Sequence, residues 1–119
     1  MALKPQELMA MVLLAERTMD VPGLSQRIAE ALNRGIKVEP ILIKRVPGGY
    51  WSEDAALFIR LLFGTRLTDK KRSSLVKITL SEEGVEFCRQ LVLEAYQRDP
   101  KMVEKAAKEL GLVLSDLIG

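Results

Sequence analysis

Five cations fall between positions 66 and 77: Arg66, Lys70, Lys71, Arg72 and Lys77, against the single acid Asp69. Projected together from the tip of a hairpin, such side chains suit the oxygens of phosphate groups, with binding that weakens steeply as salt rises. Other residues with reactive chemistry are scarce. The chain contains no histidine and only one cysteine, Cys88. That excludes Ser-His-Asp and Cys-His catalysis, Cys/His zinc sites and a disulfide framework within one chain. Cys88 lies at helical spacing with Val85, Leu91 and Val92, which marks it as a small core residue rather than a nucleophile. Glu82, Glu83 and Glu86 form a carboxylate cluster, but at a helix start the macrodipole favours acids, so their expected role is structural. Tyr50 and Trp51, beside Gly48-Gly49, have the chemistry of a base-stacking platform or of a cover over the core; the second role is expected. No paired buried carboxylates and no glycine-rich phosphate loop stand out. The sequence therefore predicts no enzyme, no cofactor, no metal and no small-molecule ligand.

The elements that must position the five cations can be read from composition and periodicity. The chain has 119 residues, 48% apolar and 29% charged, which predicts one globular domain over 1–119. Its net charge of +2 is unevenly spread. Residues 1–33 carry −1, residues 34–77 carry +6 from ten basic and four acidic groups, and residues 78–119 carry −3. The apolar run Leu8 to Ala15 is followed directly by Glu16 and Arg17 without a small-residue cleavage site, so it does not read as a signal peptide. No stretch approaches the roughly 20 apolar residues of a membrane helix. A lone cysteine fits a reducing compartment, and the expected location is the cytoplasm, with no membrane partner.

Pro5, followed by Leu8, Met11, Val12, Ala15 and Met19 at three-to-four spacing, predicts a first helix over 5–19. Met9, Leu13 and Leu14 widen its apolar face enough to suggest burial on two sides. Asp20 and Pro22 open a second helix, 21–34, stopped by Gly35. The β-branched run 36–46 predicts a strand or a bent pair of strands, with Pro40 at an edge or bulge. Pro47-Gly48-Gly49 predicts a turn. Ser52 caps a third helix, Glu53 to Phe63, whose apolar residues interrupted only by Arg60 predict a helix at the centre of the fold. Thr65–Thr68 then reads as a short strand, 69–74 as a polar loop, and Leu75–Leu80 as a strand with Val76, Ile78 and Leu80 on one face. Ser81 caps a fourth helix and Asp99-Pro100 opens a fifth. The end, from Leu112 to Ile118, is too apolar to be a free tail. Residues 100–119 are expected to form a helical packing or dimerisation element.

The stretch from Asp69-Lys70-Lys71-Arg72-Ser73-Ser74 through Leu75-Val76-Lys77-Ile78-Thr79-Leu80 to Ser81-Glu82-Glu83-Gly84 resembles the wing of winged-helix transcription regulators of the MarR and PadR kind. There a basic loop opens on Asp, a Leu-Val-x-Leu strand returns, and a Thr-x-x-Gly segment starts the next helix. Ser81 stands where that threonine usually stands. The resemblance implies a winged-helix-like, helix-rich α+β fold with about five helices and small β-hairpins. It also implies a homodimer joined through the first helix and the C-terminal segment, and double-stranded DNA as partner. In those regulators the helix before the wing reads the major groove. Here that helix offers Ser52, Glu53, Asp54 and Arg60, with two acids where phosphates would lie. Two functions follow as expectations. One is nucleic-acid binding through Arg66, Lys70, Lys71, Arg72 and Lys77. The other is a non-catalytic protein-interaction or homodimeric assembly module.

Overall fold

A computed structural model describes all of residues 1–119. Its first helix, α1 (Pro5–Glu16), begins with proline in the first turn, where a missing amide costs nothing. The Glu7 carboxylate accepts the Lys4 amide at 2.8 Å, which fixes the start of the helix. Every side chain from Leu8 to Leu14 is buried. The helix stops three residues short of the expected end, because Arg17 turns the chain with φ 62°. Thr18–Asp20 then forms β1. The pattern that extended the helix to Met19 was misleading, since Met19 is buried as a strand residue opposite Ile78.

In α2 (Val21–Asn33) the Asp20 side chain accepts the Gly23 amide at 2.7 Å, the cap expected from sequence. The β-branched run after it is mostly irregular. Val38 makes one parallel bridge with Leu3, and only Lys44–Val46 is a strand, β2. A run ending at Pro40 finds no further partner, and β-branched residues without a partner do not make a sheet. The turn at Pro47–Gly48 is present, with Gly48 at φ 87°, and returns the chain as β3 (Gly49–Trp51) in register with β2.

Ser52 accepts the Ala55 amide and starts α3 (Glu53–Phe63). This helix is not central. Ala55, Ala56, Phe58, Ile59 and Leu62 are buried, whereas Leu57 and Leu61 are 57% and 54% exposed beside exposed Glu53 and Arg60. Thr65–Thr68 is likewise not a strand; Thr65 Oγ1 donates back to the Leu62 carbonyl, and Thr68 alone bridges Leu80. The returning strand is β4 (Lys77–Thr79), paired antiparallel with β1.

Ser81 caps α4 (Glu82–Arg98), which lies along α1 as its most extensive neighbour. Asp99 caps α5 (Pro100–Glu109), and a sixth helix, α6 (Leu114–Ile118), closes the chain with Leu117 fully buried. The protein is thus a helix-rich α+β fold of six helices and two small two-stranded antiparallel sheets. One cluster of buried apolar side chains spans Leu3 to Leu117. No helix is long and apolar enough to cross a membrane.

Candidate nucleic-acid interface

The basic loop is built from the two ends of a pairing that is long in sequence and short in space. Asp69 donates its amide to the Thr79 carbonyl at 2.8 Å, and Arg72 donates to the Asp69 carbonyl at 3.1 Å. The Asp69 carboxylate accepts the Lys71 amide at 3.0 Å, closing an Asx turn that holds Lys70, Lys71 and Arg72 at the tip. Two serines close the returning side. Ser73 Oγ accepts the Thr79 amide at 3.0 Å, and Ser74 donates its amide to the Lys77 carbonyl at 2.7 Å. That second turn breaks the strand alternation one residue before β4. Val76, expected inward with Ile78 and Leu80, is therefore 60% exposed, beside exposed Leu75.

The base of the loop is fixed against α4. Ser81 Oγ donates to the Arg66 carbonyl at 2.9 Å, and the Ser81 amide donates to the Leu67 carbonyl at 3.1 Å. Gly84 completes the joint. A Cβ there would stand 1.9 Å from the Leu67 oxygen, so only glycine permits this approach. The serine and glycine of Ser81-Glu82-Glu83-Gly84 thus have one physical purpose, to seat the loop on the helix start.

Arg66, Lys70, Lys71, Arg72 and Lys77 are all exposed. None of their side chains takes part in an ion pair or a hydrogen bond; the ion pairs of the chain are Arg27 with Glu16 and Glu30, and Arg98 with Glu7. The five charges are accordingly uncompensated by protein. Lys70, Lys71 and Arg72 share the tip, Lys77 lies on β4 opposite Asp20, and Arg66 is held by its backbone at the base.

The structure adds two cations whose placement sequence alone did not supply. The β2–β3 hairpin carries exposed Lys44 and Arg45, and its Pro47–Trp51 segment lines a cleft with Asp20, Pro22, Gly23 and Gln26 at the start of α2. The Val21 amide of that same helix start donates to the Val76 carbonyl of the basic loop at 3.1 Å. The β2–β3 turn and the basic loop therefore both reach the start of α2, while the Tyr50 hydroxyl that Arg45 bonds lies beside Asn33 at the far end of that helix. The segments that meet at the start of α2 are far apart in sequence, as Val21 and Val76 are, and no local pattern announces their approach. Arg45 sits 5.7 Å from the centre of the Tyr50 ring and donates to its hydroxyl at 3.3 Å. This bond raises the Arg45 pKa and lowers that of Tyr50. Trp51 packs against the core and donates its indole N–H to Glu53 at 3.0 Å.

The remaining candidates fall into structural roles. Cys88 is completely buried, and burial pushes its thiol up to about 12, so it is neither accessible nor ionised at neutral pH. Glu82, Glu83 and Glu86 are exposed at the start of α4, and no group of three potential metal-ligating side chains converges anywhere. In α3 the Asp54 carboxylate accepts the Leu42 amide at 2.8 Å, leaving Glu53, Leu57, Arg60 and Leu61 as the solvent-facing ridge. A ridge of two leucines with one acid and one base offers little to base edges, which are read by hydrogen-bonding side chains. Compared with protein-family models, with curated proteins and with solved structures, the chain matches none.

Proposed function

We propose that the protein binds the phosphate backbone of double-stranded DNA through the basic loop between α3 and β4, in the manner of a winged-helix regulator. Lys70, Lys71 and Arg72 make the primary contacts; Arg66 and Lys77 support them. The observation that carries this reading is the set of five exposed cations on one braced loop, with no ion pair or hydrogen bond to any of their side chains. Phosphate oxygens would displace only water and counterions there, which is a favourable exchange at low salt. Because α3 presents leucines, the binding rests on backbone contacts, and sequence preference is weak.

Titration of a labelled duplex between about 50 and 200 mM salt tests this, since each phosphate neutralised adds about −0.9 to the slope of log K against log salt. The triple variant K70A/K71A/R72A is expected to flatten that slope by about three and to remove most of the affinity. A wild-type chain that fails to bind at low salt overturns the reading.

A second reading, a homodimeric assembly module, is favoured by one specific observation, the exposed leucine ridge of α3. That ridge is an apolar surface apart from the first helix and the C-terminal segment. The apolar face of α1 is covered within the chain by α4 and α6, and the C-terminal segment buries Leu117 while leaving Val113 59% exposed.

A further inference from the structure

We infer that α3 pairs with α3 of a second copy of this chain, antiparallel across a two-fold axis that passes beside Leu57. The inference rests on the assembly reading and is independent of nucleic-acid binding.

Three features of the ridge point to this occupant. First, Glu53, Leu57, Arg60, Leu61 and Gly64 are all exposed, and their spacing of three and four residues puts them on one side of the helix as a narrow seam. Leu57 and Leu61 together form the apolar middle, and a shallow groove runs beside them, walled on the α1 side by Pro5, Gln6 and Met9. A ridge flanked by a groove is the shape that packs against its own copy.

Second, the charges are complementary only to their own reverse. Glu53 stands at the N-terminal end of the seam and Arg60 near its C-terminal end, seven residues and about 10.5 Å apart along the axis. Antiparallel pairing places each Glu53 beside the Arg60 of the other chain, and the midpoint between them falls at Leu57. Parallel pairing would set acid against acid and base against base. An isologous contact of this kind closes on itself and stops at two chains.

Third, Glu53 is held in place for the role. Its Oε1 accepts the Trp51 indole N–H at 3.0 Å, which anchors the carboxylate at the end of the ridge and leaves its other oxygen free. The neighbouring acid, Asp54, is occupied by the Leu42 amide. The Arg60 guanidinium has no hydrogen bond or ion pair within the chain.

Sedimentation equilibrium of the full chain over a range of micromolar concentrations tests the pairing, with circular dichroism to verify that each variant is folded. A dimer is expected. Leu57→Glu should convert it to monomer. Glu53→Arg and Arg60→Glu should each weaken it by about tenfold, as loss and reversal of a rim charge pair do, and the double variant should recover most of that loss. K70A/K71A/R72A should leave it unchanged. A chain that is monomeric throughout overturns both the inference and the assembly reading. A dimer that tolerates Leu57→Glu overturns the inference and leaves assembly to another surface. A double variant no tighter than the singles overturns the antiparallel arrangement.

Discussion

Helices α1 and α3 are both rich in apolar side chains, yet their surroundings differ completely. The run from Leu8 to Leu14 in α1 has no exposed member, because α4 lies along it and α2, α3 and α6 close the remaining sides. Helix α3 has α2, β4 and the edge of α1 on one side and solvent on the other, where Leu57 and Leu61 stand uncovered. The two are nonetheless anchored alike. Each N-terminus is tied through a polar side chain to another helix: Glu7 to Arg98 at the end of α4, by contacts of 2.7 and 2.9 Å, and Ser52 to Ser25 in α2, through its amide at 2.9 Å. Apolarity thus states that a helix wants cover, and only the rest of the chain states whether it has it.

The comparison can be broken by exchange of equivalent residues. Leu13→Ala in α1 opens a cavity in a packed interior and should cost about 2–5 kcal/mol in denaturant unfolding. Leu57→Ala in α3, measured on the dissociated chain, should change stability by less than about 0.5 kcal/mol, because solvent already fills the space. Equal losses would mean that the α3 ridge is covered within the monomer.

The anchors sharpen it. Glu7 is 2% exposed. Burial alone would raise its pKa, but the hydrogen bonds from Arg98 and from the Lys4 amide, with the charge of Arg98, more than offset this and hold it below the usual carboxylate value. The folded chain therefore binds the Glu7 proton more weakly than the unfolded chain does. Its contribution is complete well above the unfolded pKa of about 4.3 and disappears as pH falls through the lower folded value. Glu7→Gln should cost about 1–3 kcal/mol at pH 7, as lost hydrogen bonds to a charged group do. The gap between variant and wild type should narrow as the unfolding series is taken below about pH 4; a gap that does not change with pH would remove the charge from the account. Ser25→Ala should cost less, about 1–2 kcal/mol, by leaving the buried Ser52 amide without an acceptor. Hydrogen exchange should then quicken at the start of α3 while the α1 amides keep their protection.

What the sequence made legible was local. The caps at Asp20, Ser52, Ser81 and Asp99 all accept the expected amides, and the Pro47-Gly48 turn is where its residues require it. These depend on interactions within three or four residues. What escaped depends on distant partners. Thr18–Asp20 became a strand only because Lys77–Thr79 needed one, and Ile36–Ile43 remained mostly irregular because no strand came to meet it. Exposure of the five loop cations was readable from their clustering. The meeting of the basic loop and the β2–β3 turn at the start of α2 was not, since it is fixed by contacts between segments far apart in sequence.

The placement of α1 against α4 also has a cost in time. Helix α1 emerges before α4 during synthesis, and residues 17–81 must follow it before its principal cover begins to form. At about 5–20 residues per second, that leaves its apolar side chains without their native neighbour for several seconds. A nascent chain of this protein is therefore most vulnerable to capture or aggregation at α1, and a release from the ribosome before α4 is complete would leave the most buried helix of the finished fold the most exposed.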